Sequence, residues 1–469
     1  MGRSSLRLST IILAAGDAAA ALAALAVAIL VRYGGAPDPV VVRLWEFAAP
    51  FLVVLWLAGL FVFGLYDLKL ARNEPAFFER LARALALDFA LTVLLFYLIP
   101  GFSLRPIASL IVIFALLALA LAGWRQAFNA LLARRAKERV LFYGFSPEAA
   151  ALAGMIGQHP QLGYEAVGFV AENRGGHGAL PVFSVQDDLA AIVRAEHVSL
   201  IVTSPDIKRS RAVVHAFFRV VPLGAAIVDF ERFYEAVEGK VPASLIGEGW
   251  FLENLVGSRR PRYEFAKRVL DLAMAMPIGL TALLLLPAAA AAIVLSTPWD
   301  VFNVKTRRAR PGDGIIFFRQ PRVGRGGRIF DFIKLRSQVL GAELMGAEKT
   351  GGPDPRAYPV GTFLRRTYLD ELPQVWNVIK GQMSFVGPRP ERPEFMAELE
   401  RRVPFYRTRE LVTPGITGWA QINMENDASV SDAPQKLCYD LYYIKNRSLA
   451  LDLAILLKTA LTLMRRSGR

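Results

Sequence analysis

The chain has 469 residues, 54% of them hydrophobic, with 55 Lys and Arg against 41 Asp and Glu for a formal net charge of +14. A mean hydropathy of +0.35 is too high for an ordinary soluble domain and excludes a disordered chain. The single cysteine, Cys438, excludes an internal disulfide framework, and basic clusters that border apolar stretches point to membrane surface and nucleotide phosphates as partners, with no nucleic acid.

Four apolar stretches open the chain, at about 10–31, 45–65, 81–99 and 108–124, each near the length that crosses a bilayer. Three further spans follow the first, so it does not read as a cleaved signal. A membrane α-helical bundle is therefore expected over 1–130. Arg3 and Arg7 precede the first span, Lys69, Arg72 and Arg80 lie between the second and third, and Arg125, Arg134, Arg135, Lys137 and Arg139 follow the fourth. The other side carries only Arg32, Arg43 and Arg105, which puts both ends of the bundle in the cytoplasm. Asp17 and Asp88 fall inside spans, where a carboxylate is costly and calls for a structural partner.

Alternating short strands (139–144, 166–170, 199–203, 225–229) and helical stretches predict a Rossmann-like parallel-sheet domain over 135–250. A dinucleotide fingerprint would place glycines at three positions after the first strand. Here they hold Gly144, Ser146 and Ala149, so the backbone cannot approach a pyrophosphate as closely. A membrane-anchored NAD-dependent sugar-nucleotide dehydratase or epimerase is the alternative reading of this region, and the broken glycine pattern weighs against it. The Tyr263–Lys267 spacing that mimics a short-chain dehydrogenase lies outside the α/β region and reads as chance.

A fifth apolar stretch, 269–296, has Arg259, Arg260, Arg262, Lys267 and Arg268 before it and Lys305, Arg307, Arg308 and Arg310 after it. Both flanks ask to be cytoplasmic, which a straight span cannot satisfy. Pro277 and Pro287 offer places to bend, so a re-entrant, hairpin-like helix is expected. Two short strands joined by the glycine-rich basic turn Arg322–Arg328 follow.

Asp370 and Glu371 stand just before Pro373, which fits only the first turn of a helix. Adjacent carboxylates at a helix start suit phosphoryl transfer, one as nucleophile and one as ligand to a divalent metal. Thr367 to Asp370 also fits a simple capping box, and the residues alone leave both readings open. All four histidines, His159, His177, His197 and His215, lie in the middle domain, which agrees with a carboxylate nucleophile. The apolar segment 449–464 suits an interfacial helix or one packed on the preceding domain. Asp440 is expected in a structural hydrogen bond.

Seven blocks then appear in order: Lys267-Arg268-Val269-Leu270-Asp271, Phe318-Arg319-Gln320-Pro321-Arg322-Val323-Gly324, Lys334-Leu335-Arg336-Ser337, Leu364-Arg365-Arg366, Leu369-Asp370-Glu371-Leu372-Pro373-Gln374, Met383-Ser384-Phe385-Val386-Gly387-Pro388-Arg389-Pro390 and Pro414-Gly415-Ile416-Thr417-Gly418-Trp419-Ala420-Gln421. Through them residues 262–469 resemble the bacterial sugar transferase family, monotopic polyprenyl-phosphate glycosyl-1-phosphate transferases. The four-span front and Rossmann-like domain are similar to its long form, used to initiate exopolysaccharide or O-antigen synthesis.

The resemblance implies a monotopic α/β phosphoglycosyl transferase domain carrying the re-entrant helix. It also implies transfer of a sugar 1-phosphate from a UDP-sugar to undecaprenyl phosphate with release of UMP. Asp370 takes the place of the nucleophile that forms a phosphosugar–enzyme intermediate, and Glu371 that of the Mg2+ ligand. Lys334, Arg365 and Arg389 match positions near the substrate phosphates, and Arg336 and Gln374, inside the same blocks, join the expected substrate-binding set. Trp419 is a candidate to stack on uracil or to anchor at the interface. Gln338 stands where the family usually has Met. The implied location is the bacterial inner membrane, multi-pass, with the catalytic domain facing the cytoplasm; a homo-oligomer is left open.

Overall fold

The computed structural model describes residues 2–33, 39–67, 75–98, 107–134, 137–172, 180–204, 211–243, 246, 248–255, 260–297, 314–339, 342, 356–424 and 430–466. The basic flank 305–310 and Arg105 of the sequence reading lie outside them. The chain divides into two compact units, Met1–Glu238 and Gly239–Arg469.

The first unit opens with helices α1 (Gly2–Tyr33), α2 (Pro39–Val62), α3 (Pro75–Leu98) and α4 (Ile107–Arg134), at the four expected places. Within it, windows of α1, α2 and α4 (Ser9–Arg32, Trp45–Val62 and Leu110–Leu131) are long and apolar enough to cross a membrane. The expected partner of Asp17 is Arg125, whose Nε and Nη2 both donate to the buried carboxylate while Nη1 donates to the Leu65 carbonyl. A two-point guanidinium contact satisfies both carboxylate oxygens inside an apolar bundle. Asp88 departs from the expectation. It is buried against Gly59, and neither carboxylate oxygen has a hydrogen-bond partner among the described residues.

After the bundle come β1 (Glu138–Tyr143), α5 (Pro147–Gln158), β2 (Tyr164–Ala171), β3 (Val182–Ser184), α6 (Leu189–Ala195), β4 (Leu200–Thr203), α7 (Arg211–Val220), β5 (Ala226–Asp229) and α8 (Phe230–Glu238). The strands form one parallel sheet in the order β3-β2-β1-β4-β5. Val140, Leu141, Phe142 and Tyr143 of central β1 are all buried, as a strand covered on both faces requires. Strand β3 was not anticipated. Its three half-buried edge residues carry too little alternation to read as a strand. The Rossmann-like architecture stands, but its boundary moves: α8 ends at Glu238, and Val241, Trp250 and Leu255 beyond it belong to the hydrophobic core of the second unit.

The second unit contains α9 (Glu248–Asn254), α10 (Pro261–Leu295), the hairpin β6 (Phe317–Val323) and β7 (Ile329–Leu335), α11 (Pro359–Arg366), α12 (Gln374–Ile379), β8 (Ser384–Val386), α13 (Pro393–Arg402), β9 (Gly415–Thr417), α14 (Trp419–Asn423), α15 (Ala433–Asn446) and α16 (Leu449–Arg466). Strands β6 and β7 are antiparallel across the expected glycine-rich turn. Gly326 and Gly327 adopt φ of +64° and +76° there, which a side chain would strain.

Helix α10 is also long and apolar enough to cross a membrane, and it runs unbroken through Pro277 and Pro287. The hairpin-like interruption expected at those prolines is therefore absent. The middle and the last turns of the helix pack on the α/β elements of the unit. Ala275, Met274 and Ile278 join the core of Val375 and Val378, and Ile293, Leu286 and Ala289 meet Leu335 and Leu364.

The first three turns of α10 also carry polar contacts to the rest of the unit. Arg268 donates from Nη1 to the Val378 carbonyl (2.6 Å) and from Nη2 to that of Ile379 (2.7 Å), capping the last carbonyls of α12. Asp271 accepts from the Ser384 hydroxyl (3.0 Å) and the Phe385 N–H (3.1 Å), which sets β8. Tyr263 and Lys267, the pair with dehydrogenase-like spacing, both donate to Asp452 of α16, at 2.8 and 3.0 Å. Their role is a clamp. Removing a buried acceptor strands its donors, so Asp271→Ala is expected to lower unfolding stability by about 2–3 kcal/mol. Asp271→Asn should recover part of it; equal denaturation midpoints for Asp271→Ala and the parent in detergent would contradict the assignment.

Candidate active site

The Asp-Glu pair occupies a 3-10 turn, Leu369–Glu371, ahead of α12. Tyr368, just before it, sits at φ +57°, a left-handed conformation that a non-glycine residue adopts at a cost of about 1 kcal/mol. The expected placement in the first turn of a helix is thus corrected: α12 begins at Gln374 with Pro373 as its cap. The capping box is also absent, because the Thr367 hydroxyl donates back to the Phe363 and Leu364 carbonyls of α11. With six residues in α12, the dipole is a minor influence on the carboxylates. Nearby cations and burial set their charge.

Lys334 on β7 donates to Glu371 Oε1 at 2.6 Å, and Arg389 Nη2 lies 3.8 Å from the same oxygen. Burial pushes the Glu371 carboxyl up, but Lys334 and Arg389 outweigh it and hold the group at about 2. Asp370 is 6% exposed. Burial raises its carboxyl to about 6; Lys334 opposes the shift, Glu371 adds to it, and Arg365 opposes it again. Two neighbouring carboxyls are thereby separated, one permanently anionic and one poised near neutrality.

Lys334, Arg336, Arg365 and Asp370 line one open cleft of about 180 Å3, joined by Gln320 and Arg392. Glu371 and Arg389 reach that group through the ion pairs above. Arg336 differs from the expectation of a substrate contact. Its guanidinium donates to the Ile315 carbonyl and to the Thr297 hydroxyl, which ties β7 to the end of α10. Trp419 is a clearer correction. Its Nε1 donates to the Gly239 carbonyl at 2.7 Å, its ring stacks on Tyr442, and it is not among the residues lining the cleft. An indole committed to core packing has no face to offer a base.

The turn that carries Arg389 is clamped by residues the sequence reading did not assign to the site. Arg409 donates to the Arg389 carbonyl (2.9 Å), to Glu391 (3.0 Å) and to Asp440 (2.7 Å), while Lys436 and Tyr406 also donate to Glu391 at 2.9 Å each. Arg322 holds the Pro390 carbonyl. Asp440 has the structural hydrogen bond expected of it, and a carboxylate on the buried face of α15 was the available signal. Gly387 lets this turn cross β9 closely, since a Cβ there would stand 2.4 Å from the Thr413 carbonyl oxygen. Asn377 fastens α12 to β7 by donating to the Asp331 carbonyl and accepting from the Ile333 N–H.

Among the described residues no three His, Cys, Asp or Glu converge as a metal cage. The donors present still fit Mg2+, which accepts one or two carboxylates and completes its shell with phosphate oxygens and water. The side chain of fully buried Gln374 adjoins Glu371 and helps keep it ionised, which leaves its amide oxygen, without a hydrogen-bond partner among the described residues, as a spare ligand at that point.

The raised Asp370 carboxyl carries a stability cost when ionised. Its folded value of about 6 exceeds the ordinary 3.8, so the charge destabilises the fold fully above pH 6 and not at all below pH 3.8. Asp370→Asn should therefore gain about 2–3 kcal/mol at pH 8. That gain should fade through the interval below pH 6, as followed by denaturant unfolding; a pH-independent difference would refute the shift.

The model of the bacterial sugar transferase family matches residues 262–466, and that of a CoA-binding domain matches 62–217. A UDP-N-acetylgalactosamine-undecaprenyl-phosphate N-acetylgalactosaminephosphotransferase of Aeromonas hydrophila is 41% identical over 215 residues, 45% of this chain and 47% of that protein. A UDP-glucose:undecaprenyl-phosphate glucose-1-phosphate transferase of Xanthomonas campestris pv. campestris is 30% identical over 352 residues, 70% of this chain and 66% of its own. A putative undecaprenyl-phosphate N-acetylgalactosaminyl 1-phosphate transferase of Bacillus subtilis is 40% identical over 154 residues, 33% of this chain and 78% of its own. The chain thus spans from about half (47%) to just under two thirds (66%) of the length of the first two relatives.

Proposed function

The chain belongs to the bacterial sugar transferase family, and from that membership we propose that it transfers a sugar 1-phosphate from a UDP-hexose to undecaprenyl phosphate, releasing UMP and starting a glycan such as an exopolysaccharide. The observation that carries the reading is the pair itself: a nearly buried Asp370 poised at about 6 beside a Glu371 held anionic by Lys334 and Arg389. The relatives named for UDP-glucose and UDP-N-acetylgalactosamine support the donor class.

In the first step an Asp370 carboxylate oxygen attacks the sugar-linked phosphorus. A bond forms from Oδ to phosphorus, the bond to the bridging oxygen breaks, and its electron pair leaves with UMP. In the second step a phosphate oxygen of undecaprenyl phosphate attacks the same phosphorus, and the bond to Asp370 breaks to restore the carboxylate. Dividing the transfer means that a soluble and a lipid substrate need not be bound together. Arg365 and Lys334 face the developing negative charge on the phosphoryl oxygens. Mg2+ held through Glu371 would neutralise charge on the diphosphate.

The same reading puts the chain in the inner membrane with its second unit at the cytoplasmic face, where UDP-sugars are. Helix α10 is the segment of the second unit apolar enough to enter the bilayer, and its contacts with the α/β elements would keep them at the membrane surface. The dinucleotide alternative is weakened by Ser146, whose hydroxyl accepts from the Ala149 N–H and so uses a donor that a pyrophosphate would need.

Asp370→Asn is expected to reduce UMP release from a UDP-sugar by about a thousandfold or more. Intact-mass measurement after a short incubation with donor alone should find one phosphosugar on the parent and none on the variant. Full activity in Asp370→Asn, or donor turnover without any adduct, would replace the relay by a direct transfer.

A further inference from the structure

A second cavity, of about 250 Å3, opens beside the first two turns of α10 and shares no lining residue with the catalytic cleft. Its charged walls are Lys267, Arg268, Arg325 and Arg447 against only Glu264 and Asp271. Asp271 and Arg268 are committed to β8 and α12, as described above, and Lys267 is paired with Asp452. The remaining carboxylate, Glu264, is shared by two guanidinium groups: Arg325 at 3.2 Å and Arg447 at 3.7 Å. Arg325 is the tip of the basic, glycine-rich turn, and half its side chain is exposed. Its exposed ion pair is worth little and can be exchanged for another anion at small cost.

The opposite face of the same turns is apolar and exposed. Phe265, Val269, Leu272, Met276, Leu280 and Leu283 follow one another at intervals of three or four residues, one stripe of a helix, and all are exposed. The stripe leads away from the cavity along a helix apolar enough to lie in a bilayer. A cationic cavity therefore opens beside the turns where that stripe begins. The stripe gives the start of the helix a bilayer to lie in, and a phosphate presented by a lipid headgroup at that surface matches the charge of the cavity.

We propose that this cavity is a binding site for the headgroup phosphate of an anionic bilayer phospholipid, with Arg325 and Arg447 as its ligands. The site steadies the start of α10, and through Arg268 and Asp271 the elements that frame the cleft. It stands apart from the reacting phosphorus, and its occupancy is measurable without any assay of transfer.

The test uses the full chain in nanodiscs of phosphatidylcholine, or of four parts phosphatidylcholine to one part phosphatidylglycerol. Native mass spectrometry reads retained phosphatidylglycerol, and thermal unfolding reads its stabilisation. The parent should retain the anionic lipid and unfold at a higher temperature with it. Arg325→Glu should weaken retention about tenfold and lose the stabilisation, Arg325→Gln should fall between, and Arg402→Glu, at an exposed pair on α13, should behave as the parent. Equal retention by Arg325→Glu and the parent would overturn the proposal. So would equal stabilisation by inorganic phosphate in pure phosphatidylcholine, which would mark a site for a soluble anion. A retained polyprenyl phosphate that displaces phosphatidylglycerol from the parent but not from Arg325→Glu would reassign the cavity to the acceptor. Loss of UMP release in Asp370→Asn bears on the transfer alone and leaves this result unaffected.

Discussion

The contact on which the catalytic unit depends is the one between the first turns of α10 and the elements that follow the Asp-Glu pair. Arg268 closes the end of α12 and Asp271 holds β8. The pair precedes α12, and the Arg389 turn follows β8. One apolar helix thus fixes both halves of the cleft around the Asp-Glu pair through charge-assisted hydrogen bonds, which are shorter and stronger than neutral ones. The cleft and the apolar stripe of α10 therefore share one framework.

The electrostatics of the site follow from unequal burial and unequal partners. Glu371 has two cations on one oxygen and stays ionised, whereas Asp370 sits deeper and pays for its charge. On the proposed relay, that cost would serve a nucleophile. A carboxylate that is poorly solvated loses less on forming a bond to phosphorus than one fully stabilised by water or by a direct ion pair. The Arg409–Glu391–Asp440–Lys436 network performs a different task. It is buried, internally paired and without a described role at the reacting atom, and it fixes the backbone from which Arg389 reaches Glu371.

Much of this was legible in the chain. Apolar stretches of bilayer length located α1 to α4 and α10, and alternation located four of the five parallel strands. The blocks around Lys334, Arg365, Asp370 and Arg389 converged on one cleft or its ion pairs. Other features were not legible because they depend on where a side chain ends rather than on its type. Arg336 and Trp419 lie in blocks similar to those of the family, yet each spends its polar group on a distant backbone or hydroxyl oxygen. Asp17 and Asp88 look alike as intramembrane acids; only the first meets an arginine, on a helix more than a hundred positions away.

The sequence by itself determined which residues could carry phosphoryl chemistry, which segments could enter a bilayer and which family the chain resembles, because residue type, spacing and apolar length are properties of the chain. Only the tertiary structure decided which of two adjacent carboxyls is held anionic by cations and which is raised by burial. It also decided that α10 is continuous across its prolines and that its polar face braces the site. Those outcomes rest on burial and on contacts between positions far apart in the chain, and no local pattern encodes either.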